Sequence, residues 1–339
     1  MKPQENISLR PYHTFHSPVQ AKLFAVVENV EEIIGLYKDF PDERKLVLGE
    51  GSNVLFLSDF FDGLVIINNV KGKTVLVENE EFVELAVAGG ENWHELVTWT
   101  VQQGWGGIEN LALIPGKAGT APIQNIGAYG VELKDVIKRC YTIHLETFRV
   151  KVFEKPECAF GYRNSFFKKP ENKGKFFIFR IDLELKKNHV PNTTYGSLKK
   201  YLEEKGIVQP SIVDVYQAVC EIRRSKLPDP DEVGNAGSFF KNPIIDTKHF
   251  QSLQQKFPEM PFYRISEEKY KIPAGWLIEK AGFKGMRRGD AGVHPKQALV
   301  LVNYGNAMGR EIYDLSEEIK EKVKEMSGID LEREVNIIK

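Results

Sequence analysis

The sequence predicts an α+β fold, and three observations carry that prediction. Strand patterns come in clusters between single amphipathic helices rather than in strict βαβα alternation, which disfavours a doubly wound parallel sheet. The chain has 339 residues, which at roughly 150 per domain is about two domains or one with a large insertion. Its composition, 42% hydrophobic and 27% charged, is that of an ordinary globular protein rather than a disordered chain.

From the N-terminus, an apolar run predicts a strand over 23–27. Asn29 and Glu32 form a capping-box pattern, followed by Val30, Ile33, Ile34 and Tyr37 at helical spacing. A short apolar run at 45–48 leads straight into Gly49-Glu50-Gly51-Ser52-Asn53. Further strands are read at 64–67, at 74–77 and over the alternating Val83, Leu85 and Val87. Trp93, Leu96, Val97 and Val101 share one helical face, with Gly104 as the stop. Residues 105–135 are rich in Gly, Pro, Ala and Asn and carry little charge, so they are no ordinary surface linker. Periodicity lapses over 186–196, an amphipathic helix is read at 213–223, and a boundary falls near Pro228-Asp229-Pro230. Beyond it lie a helix at 274–281, a buried strand at 298–302 and a last helix carrying Ile312, Leu315, Ile319 and Val323.

Charge and cysteine usage exclude several classes. With 46 Lys and Arg against 47 Asp and Glu, a nucleic-acid partner recognised by bulk charge is not expected. No stretch approaches the ~18 apolar residues of a membrane span, and we expect a cytoplasmic protein without membrane insertion. Cys140, Cys158 and Cys220 are odd in number, widely spaced and without CxxC, which argues against a disulfide framework or zinc knuckle and fits a reducing compartment. The seven histidines show no HExxH or paired spacing, so no catalytic metal site is expected; His94 reads as a packing or loop-orienting residue.

Five segments have chemical potential. Gly49-Glu50-Gly51-Ser52-Asn53 lacks the third glycine of a dinucleotide fingerprint, since Val54 stands there, and the chain has no P-loop. Small residues in such a turn let backbone N–H groups converge on an anion, with Ser52 and Asn53 as added donors; a tight surface turn is the competing reading. Residues 114–130 hold four glycines and two prolines, which suits a backbone lying against a flat ligand, or a buried irregular crossover. Two glycine-rich elements in one α+β region suggest a dinucleotide cofactor. Gly161-Tyr162-Arg163-Asn164-Ser165 sets an arginine beside an aromatic, suited to clamping a carboxylate. Ser238 lies between Gly237 and two phenylalanines, outside any GxSxG elbow. In Leu331-Glu332-Arg333-Glu334-Val335-Asn336, an extended backbone would put Glu332, Glu334 and Asn336 on one face, with a solvated edge as the plain reading.

Taken in order, Tyr12-His13-Thr14-Phe15, Gly49 to Asn53, Pro115 to Gly130, Gly161 to Ser165, Gly234 to Pro243 and Glu334 resemble the UDP-N-acetylenolpyruvoylglucosamine reductase family. Thr194-Tyr195-Gly196-Ser197-Leu198 resembles the tyrosine loop of its long form, known from enteric bacteria. The resemblance spans nearly the whole chain.

It implies an FAD-binding region of the vanillyl-alcohol-oxidase type in two subdomains, 1–68 (joined by 331–339) and 69–222, and a C-terminal α+β substrate-binding domain, 223–330. It implies non-covalent FAD held by Gly49, Gly51, Ser52, Asn53, Pro115, Gly116, Gly119, Gln124, Asn125, Gly127 and Ala128. The catalytic residues it implies are Arg163, Ser238 and Glu334; substrate binding falls to Tyr129, Tyr195, Arg223, Lys226, Asn242 and Gln297. The implied activity is reduction of UDP-N-acetylglucosamine enolpyruvate to UDP-N-acetylmuramate for peptidoglycan, with NADPH as co-substrate, monovalent-cation activation and a monomeric enzyme. Lys117 and Ala118 stand where small or apolar residues are expected. The rival readings are an alcohol-oxidising flavoenzyme of the same fold and a nucleotide-sugar-binding regulator without catalysis.

Overall fold

The apolar runs of the sequence become strands and helices of two compact units in a computed structural model that describes residues 1–339. One unit comprises Met1–Ile7, Ala21–Glu50 and Asp62–Ser225; the other comprises Ser8–Gln20, Gly51–Phe61 and Lys226–Lys339.

The first unit contains two large sheets. One has the strand order Gln4–Ser8, Gln20–Val27, Phe60–Asn68, Lys45–Leu48, the last two running parallel with Lys45 opposite Leu64 and Leu48 opposite Ile67. Helix Val30–Asp39 starts at Asn29, whose side chain accepts the Glu32 N–H at 2.9 Å. The Glu32 carboxylate accepts the Glu28 N–H at 2.7 Å, so the box closes one residue earlier than the sequence pattern implies. Its buried face, Ile33 and Leu36, packs with Val27, Leu64 and Ile66.

The other sheet is antiparallel throughout, in the order Val150–Glu154, Ile137–His144, Phe176–Lys186, Phe82–Ala88, Lys73–Glu78. Helix Trp93–Gln102 lays Trp93, Leu96, Val97 and Val101 into a core with Leu85, Val87, Ile181, Leu183, Val215 and Val219. The central strand Phe176–Lys186 escaped the sequence reading. Its residues are mostly buried or half-buried, including Asp182, so period-2 alternation of polarity is lost. Cys140 and Cys158 also meet in this core, Sγ atoms 3.8 Å apart and unbonded, an adjacency their sequence separation conceals.

In the second unit, Gly234–Ser238, Val300–Asn303, Ala291–Val293 and Arg287–Arg288 form an antiparallel sheet. The C-terminal strand Asn336–Ile338 runs parallel to Val54–Phe56, with Asn336 opposite Val54. Helix Gly309–Ser327 packs Ile312, Leu315, Ile319 and Val323 against Phe15, Phe239, Phe240 and Leu277, and stops at left-handed Gly328. No helix in the chain is long and apolar enough to cross a membrane.

His13 is buried in this unit. Its Nε2–H donates to the Ser17 carbonyl at 3.1 Å, since a carbonyl only accepts, and its ring meets Phe56 edge-on with centroids 5.4 Å apart. Burial, opposed by the Ser17 bond, lowers its pKa from 6.5 to about 4. The unfolded chain therefore binds the extra proton below pH 6.5, and the stability that neutral His13 contributes is lost as pH falls towards about 4. We predict that wild-type protein loses up to ~3 kcal/mol from this source across that window. Denaturant titrations at pH 7 and pH 4.5 should show a smaller loss for His13→Asn.

Candidate active site

In the first unit, strand Lys45–Leu48 delivers Gly49 and Glu50 to a place where three backbone segments meet. A Cβ on Gly49 would stand 2.9 Å from Thr120 Cγ2, and one on Gly119 would stand 2.5 Å from the Ile178 carbonyl oxygen. Gly119 is therefore required by backbone-on-backbone packing, while Gly49 packs against the Thr120 side chain. The Glu50 carboxylate joins the segments, Oε1 accepting the Asn92 side-chain N–H and Oε2 the Gly116 backbone N–H, each at 2.6 Å. Asn92 meanwhile caps helix Trp93–Gln102 by accepting the Glu95 N–H at 3.0 Å. Trp93 N–H donates to the Gly116 carbonyl at 2.9 Å, Ala118 N–H to Glu91 at 2.9 Å and Gly119 N–H to Gly89 at 2.8 Å. Lys117 turns back, its Nζ donating to the Asn68 carbonyl at 2.8 Å, and burial lowers its pKa. The sequence reading missed Glu50 and Asn92 as loop ties, although Asn92 three residues before Glu95 is a legible helix start.

The second half of the glycine-rich segment, holding Gln124, Asn125, Gly127 and Ala128, is stitched to 161–165. Asn125 Nδ2 donates to the Gly161 carbonyl and Glu132 Oε2, both at 3.1 Å. Ser165 Oγ donates to the Ile123 carbonyl at 2.7 Å, and Arg163 Nη2 to the Gly127 carbonyl at 2.7 Å. Asn125, Tyr129 and Arg163 all have left-handed φ, 47°, 48° and 51°. Such residues cost roughly 1–3 kcal/mol each and gather at sites whose surroundings hold them in place.

Arg223 enters from helix Ile212–Lys226, its Nε buried without a hydrogen-bond partner. Burial lowers its pKa, and the ionisable groups acting on it are Tyr129, Cys220 and Arg163, none of them a carboxylate. The buried, unpartnered Nε of Arg223 is suited to an anion. The Tyr129 ring meets that of Tyr195 edge-on at 5.4 Å. His94 orients the neighbouring loop, as the sequence suggests, its Nδ1 accepting the Leu113 N–H at 3.1 Å while its ring stacks on Tyr216.

In the second unit, Ser238 ends strand Gly234–Ser238 after left-handed Gly237, ahead of fully buried Phe239 and Phe240. Glu334 N–H donates to the Phe239 carbonyl and Lys241 N–H to the Glu332 carbonyl, each at 2.9 Å, with Phe240 bridged to Arg333. This pairing sets Glu334 beside the Ser238 segment although 96 residues separate them (334 − 238). Asn53 Nδ2 reaches the Glu334 carbonyl at 3.3 Å, so the 51–53 turn joins the same cluster. A Cβ on Gly51 (φ +62°) would fall 2.6 Å from His13 Cα, and Ser52 is half-buried beside it. Asn242 Oδ1 accepts the Ala274 N–H at 2.9 Å, and Gln297 Oε1 lies 2.8 Å from where a Gly275 Cβ would be; both thus lie at the start of helix Ala274–Lys280. Lys226 is exposed.

The turn residues fit an anionic dinucleotide. The one carboxylate in the 49–53 turn, Glu50, is taken up by two N–H donors, leaving small neutral side chains around it. Residues 21–144 match the FAD binding domain family, and this fold and donor set define an FAD-binding oxidoreductase. Residues 229–338 match the UDP-N-acetylenolpyruvoylglucosamine reductase C-terminal domain. The chain is 50% identical to the UDP-N-acetylenolpyruvoylglucosamine reductase of Flavobacterium johnsoniae over all of both chains. It is 46% identical to that of Vibrio vulnificus, over 100% of this chain and 96% of the relative. It belongs to the UDP-N-acetylenolpyruvoylglucosamine reductase family. The crystal structure of the Thermus caldophilus reductase shares its fold, with a TM-score of 0.69 at 23% identity over all of both chains. The fold is thus the expected one, an FAD-binding region of the vanillyl-alcohol-oxidase type followed by a C-terminal α+β domain.

Removing the Glu50 carboxylate leaves the Gly116 N–H and the Asn92 amide without their acceptor. We predict that Glu50→Ala lowers unfolding free energy by about 1.5–3 kcal/mol, measured by urea titration of the FAD-loaded protein; an unchanged midpoint and slope would remove Glu50 as the loop tie.

Proposed function

We propose that this chain reduces UDP-N-acetylglucosamine enolpyruvate to UDP-N-acetylmuramate, using NADPH through bound FAD, in the cytoplasmic synthesis of peptidoglycan precursor. The observation that carries the reading is the buried, unpartnered Nε of Arg223 beside Tyr129, a group suited to an anion, in a chain similar over its full length to reductases of that name. We keep the three-part division, with subdomains at 1–68 and 69–222 and a substrate domain at 223–330. The separate sheets of the first unit, built from residues 4–68 and 73–186, support it.

When bound, FAD would supply the hydride, drawn from NADPH. That hydride adds to the methylene carbon of the enolpyruvyl ether, and negative charge passes through the adjacent carbon into the carboxylate. Arg163, fixed by its bond to the Gly127 carbonyl, stabilises this enolate-like charge without having to reorganise. A donor of that kind is typically worth about 3–4 kcal/mol. Glu334 orients the carboxylate end of the substrate, either protonated or tightly coupled to Arg163, because two carboxylates side by side repel. Ser238 gives its hydroxyl proton to the carbanionic carbon. A hydroxyl is a weak acid, yet the carbon is a strong base, and positioning makes the transfer efficient.

Tyr195, Lys226, Asn242 and Gln297 bind the diphosphate and nucleotide, with Tyr129 and Arg223 beside them. Lys226, in the sequence Arg223-Arg224-Ser225-Lys226, is a flexible point charge suited to phosphate. NADPH reacts first and substrate second, in a ping-pong order, with a monovalent cation as activator.

Ser238→Ala is expected to leave flavin reduction by NADPH intact and to slow reoxidation by the enolpyruvyl substrate by at least ~100-fold. Stopped-flow absorbance of the two half-reactions measures both, and an undiminished second half-reaction excludes Ser238 as the acid. Lys226→Ala is expected to weaken substrate binding by roughly tenfold, the loss of one charge-assisted contact; titration calorimetry that finds wild-type affinity would sink that assignment.

A further inference from the structure

The turn that presents Tyr129 is strained by its own sequence. Strands Gly127–Ala128 and Val131–Glu132 form a two-residue hairpin whose turn residues, Tyr129 and Gly130, both have positive φ, +48° and +85°. This geometry favours Asn-Gly, Asp-Gly or Gly-Gly, and a bulky aromatic at its first position is disfavoured by the contact between Cβ and backbone. Something outside the hairpin must hold it.

Two asparagines do. Asn110, fully buried, donates from Nδ2 to the Tyr129 carbonyl at 3.0 Å and to the Asn192 carbonyl at 2.8 Å. Asn192 donates from its own Nδ2 to the Gly130 carbonyl at 3.0 Å. Each turn carbonyl thus receives one side-chain amide. The remaining acceptor of Asn192, Oδ1, takes the Thr194 N–H at 3.0 Å and the Thr194 hydroxyl at 2.7 Å, next to Tyr195. The segment carrying Asn192 is anchored independently of that side chain, through the Asn192 carbonyl on Asn110 and through His189 Nε2, 3.1 Å from Glu109 Oε1.

We propose that Asn192 is a positioning residue for substrate recognition: its amide fixes the strained Tyr129-Gly130 turn and thereby the orientation of the Tyr129 ring against Tyr195. Asn110 holds the other carbonyl of the same turn. The proposal rests on the reading of Tyr129 as a substrate contact. It assigns the 186–196 stretch, where periodicity lapses in the sequence, a role distinct from that of Tyr195 itself.

The test is a double-mutant cycle in the FAD-loaded protein, with the dissociation constant for UDP-N-acetylglucosamine enolpyruvate measured by titration calorimetry. Asn192→Ser keeps an oxygen that can accept from Thr194 but is too short to reach Gly130, and the two other anchors keep the segment in place. Asn192→Ser should weaken binding about tenfold when Tyr129 is present and less than about twofold in a Tyr129→Ala background. Asn110→Ala is the second variant, expected to show the same coupling. Bound flavin per chain serves as the check that each variant is folded. Equal weakening in both backgrounds, or no weakening by Asn192→Ser in a flavin-replete protein, overturns the proposal while leaving the substrate reading intact. Wild-type protein without affinity for the UDP-sugar overturns that reading and this proposal together.

Discussion

The flavin side of the molecule depends on a packing constraint: backbone on backbone with no room for a methyl group. Gly119 abuts the backbones of Ile178 and Gly89, and Gly49 abuts the Thr120 side chain, so the turn after the first parallel strand, the approach to helix Trp93–Gln102 and the Pro115 loop meet with no space for an added side chain. Contacts this close leave polar backbone groups that must be paired. Glu50 meets that demand with one carboxylate, and Gly116, Ala118 and Gly119 with their neighbours' backbones. Glycine here is chosen for how close two protein segments come, and whatever a ligand gains from the shape follows from it.

A second constraint is electrostatic. The whole chain is nearly neutral, with a formal net charge of −1, yet half-buried Arg223 keeps a buried Nε without a hydrogen-bond partner, and the ionisable groups acting on it, Tyr129, Cys220 and Arg163, include no carboxylate. Taking a guanidinium out of water without a counter-charge is costly, and an anionic ligand that supplies the charge recovers that cost as affinity. The Glu50 carboxylate marks the contrast, because its two short N–H bonds leave it spoken for within the protein. Overall charge therefore says little about what this protein binds, while the pairing of individual charges says a good deal.

Local strain is concentrated in the same region. Asn125, Tyr129 and Arg163 adopt left-handed backbone conformations, and each sits in the part of the first unit stitched by side-chain-to-carbonyl bonds from Asn125, Ser165, Arg163, Asn110 and Asn192. These bonds run between loops rather than within strands. They hold rigid a stretch that lacks long regular elements, and so orient side chains that a flexible loop would leave averaged.

The sequence by itself determined the α+β class, the helices with clean 3.6-residue periodicity and the alternating outer strands, because binary patterning and capping are local signals. Asn29 before Val30–Asp39 and the apolar stripe of Gly309–Ser327 are examples. It also determined the ordered set of motifs that marks the family, since those residues are read one by one. It did not disclose the central strand Phe176–Lys186, buried along most of its length and interrupted by Asp182, nor the meeting of Cys140 with Cys158. Nor did it place Glu334 beside the Ser238 segment, tie Glu50 to Gly116 or hold the Tyr129 turn with Asn110 and Asn192. Each of these joins residues far apart in the chain through packing and hydrogen bonds that carry no periodic trace. Only the tertiary structure decides them, because their partners become neighbours only once the core has formed.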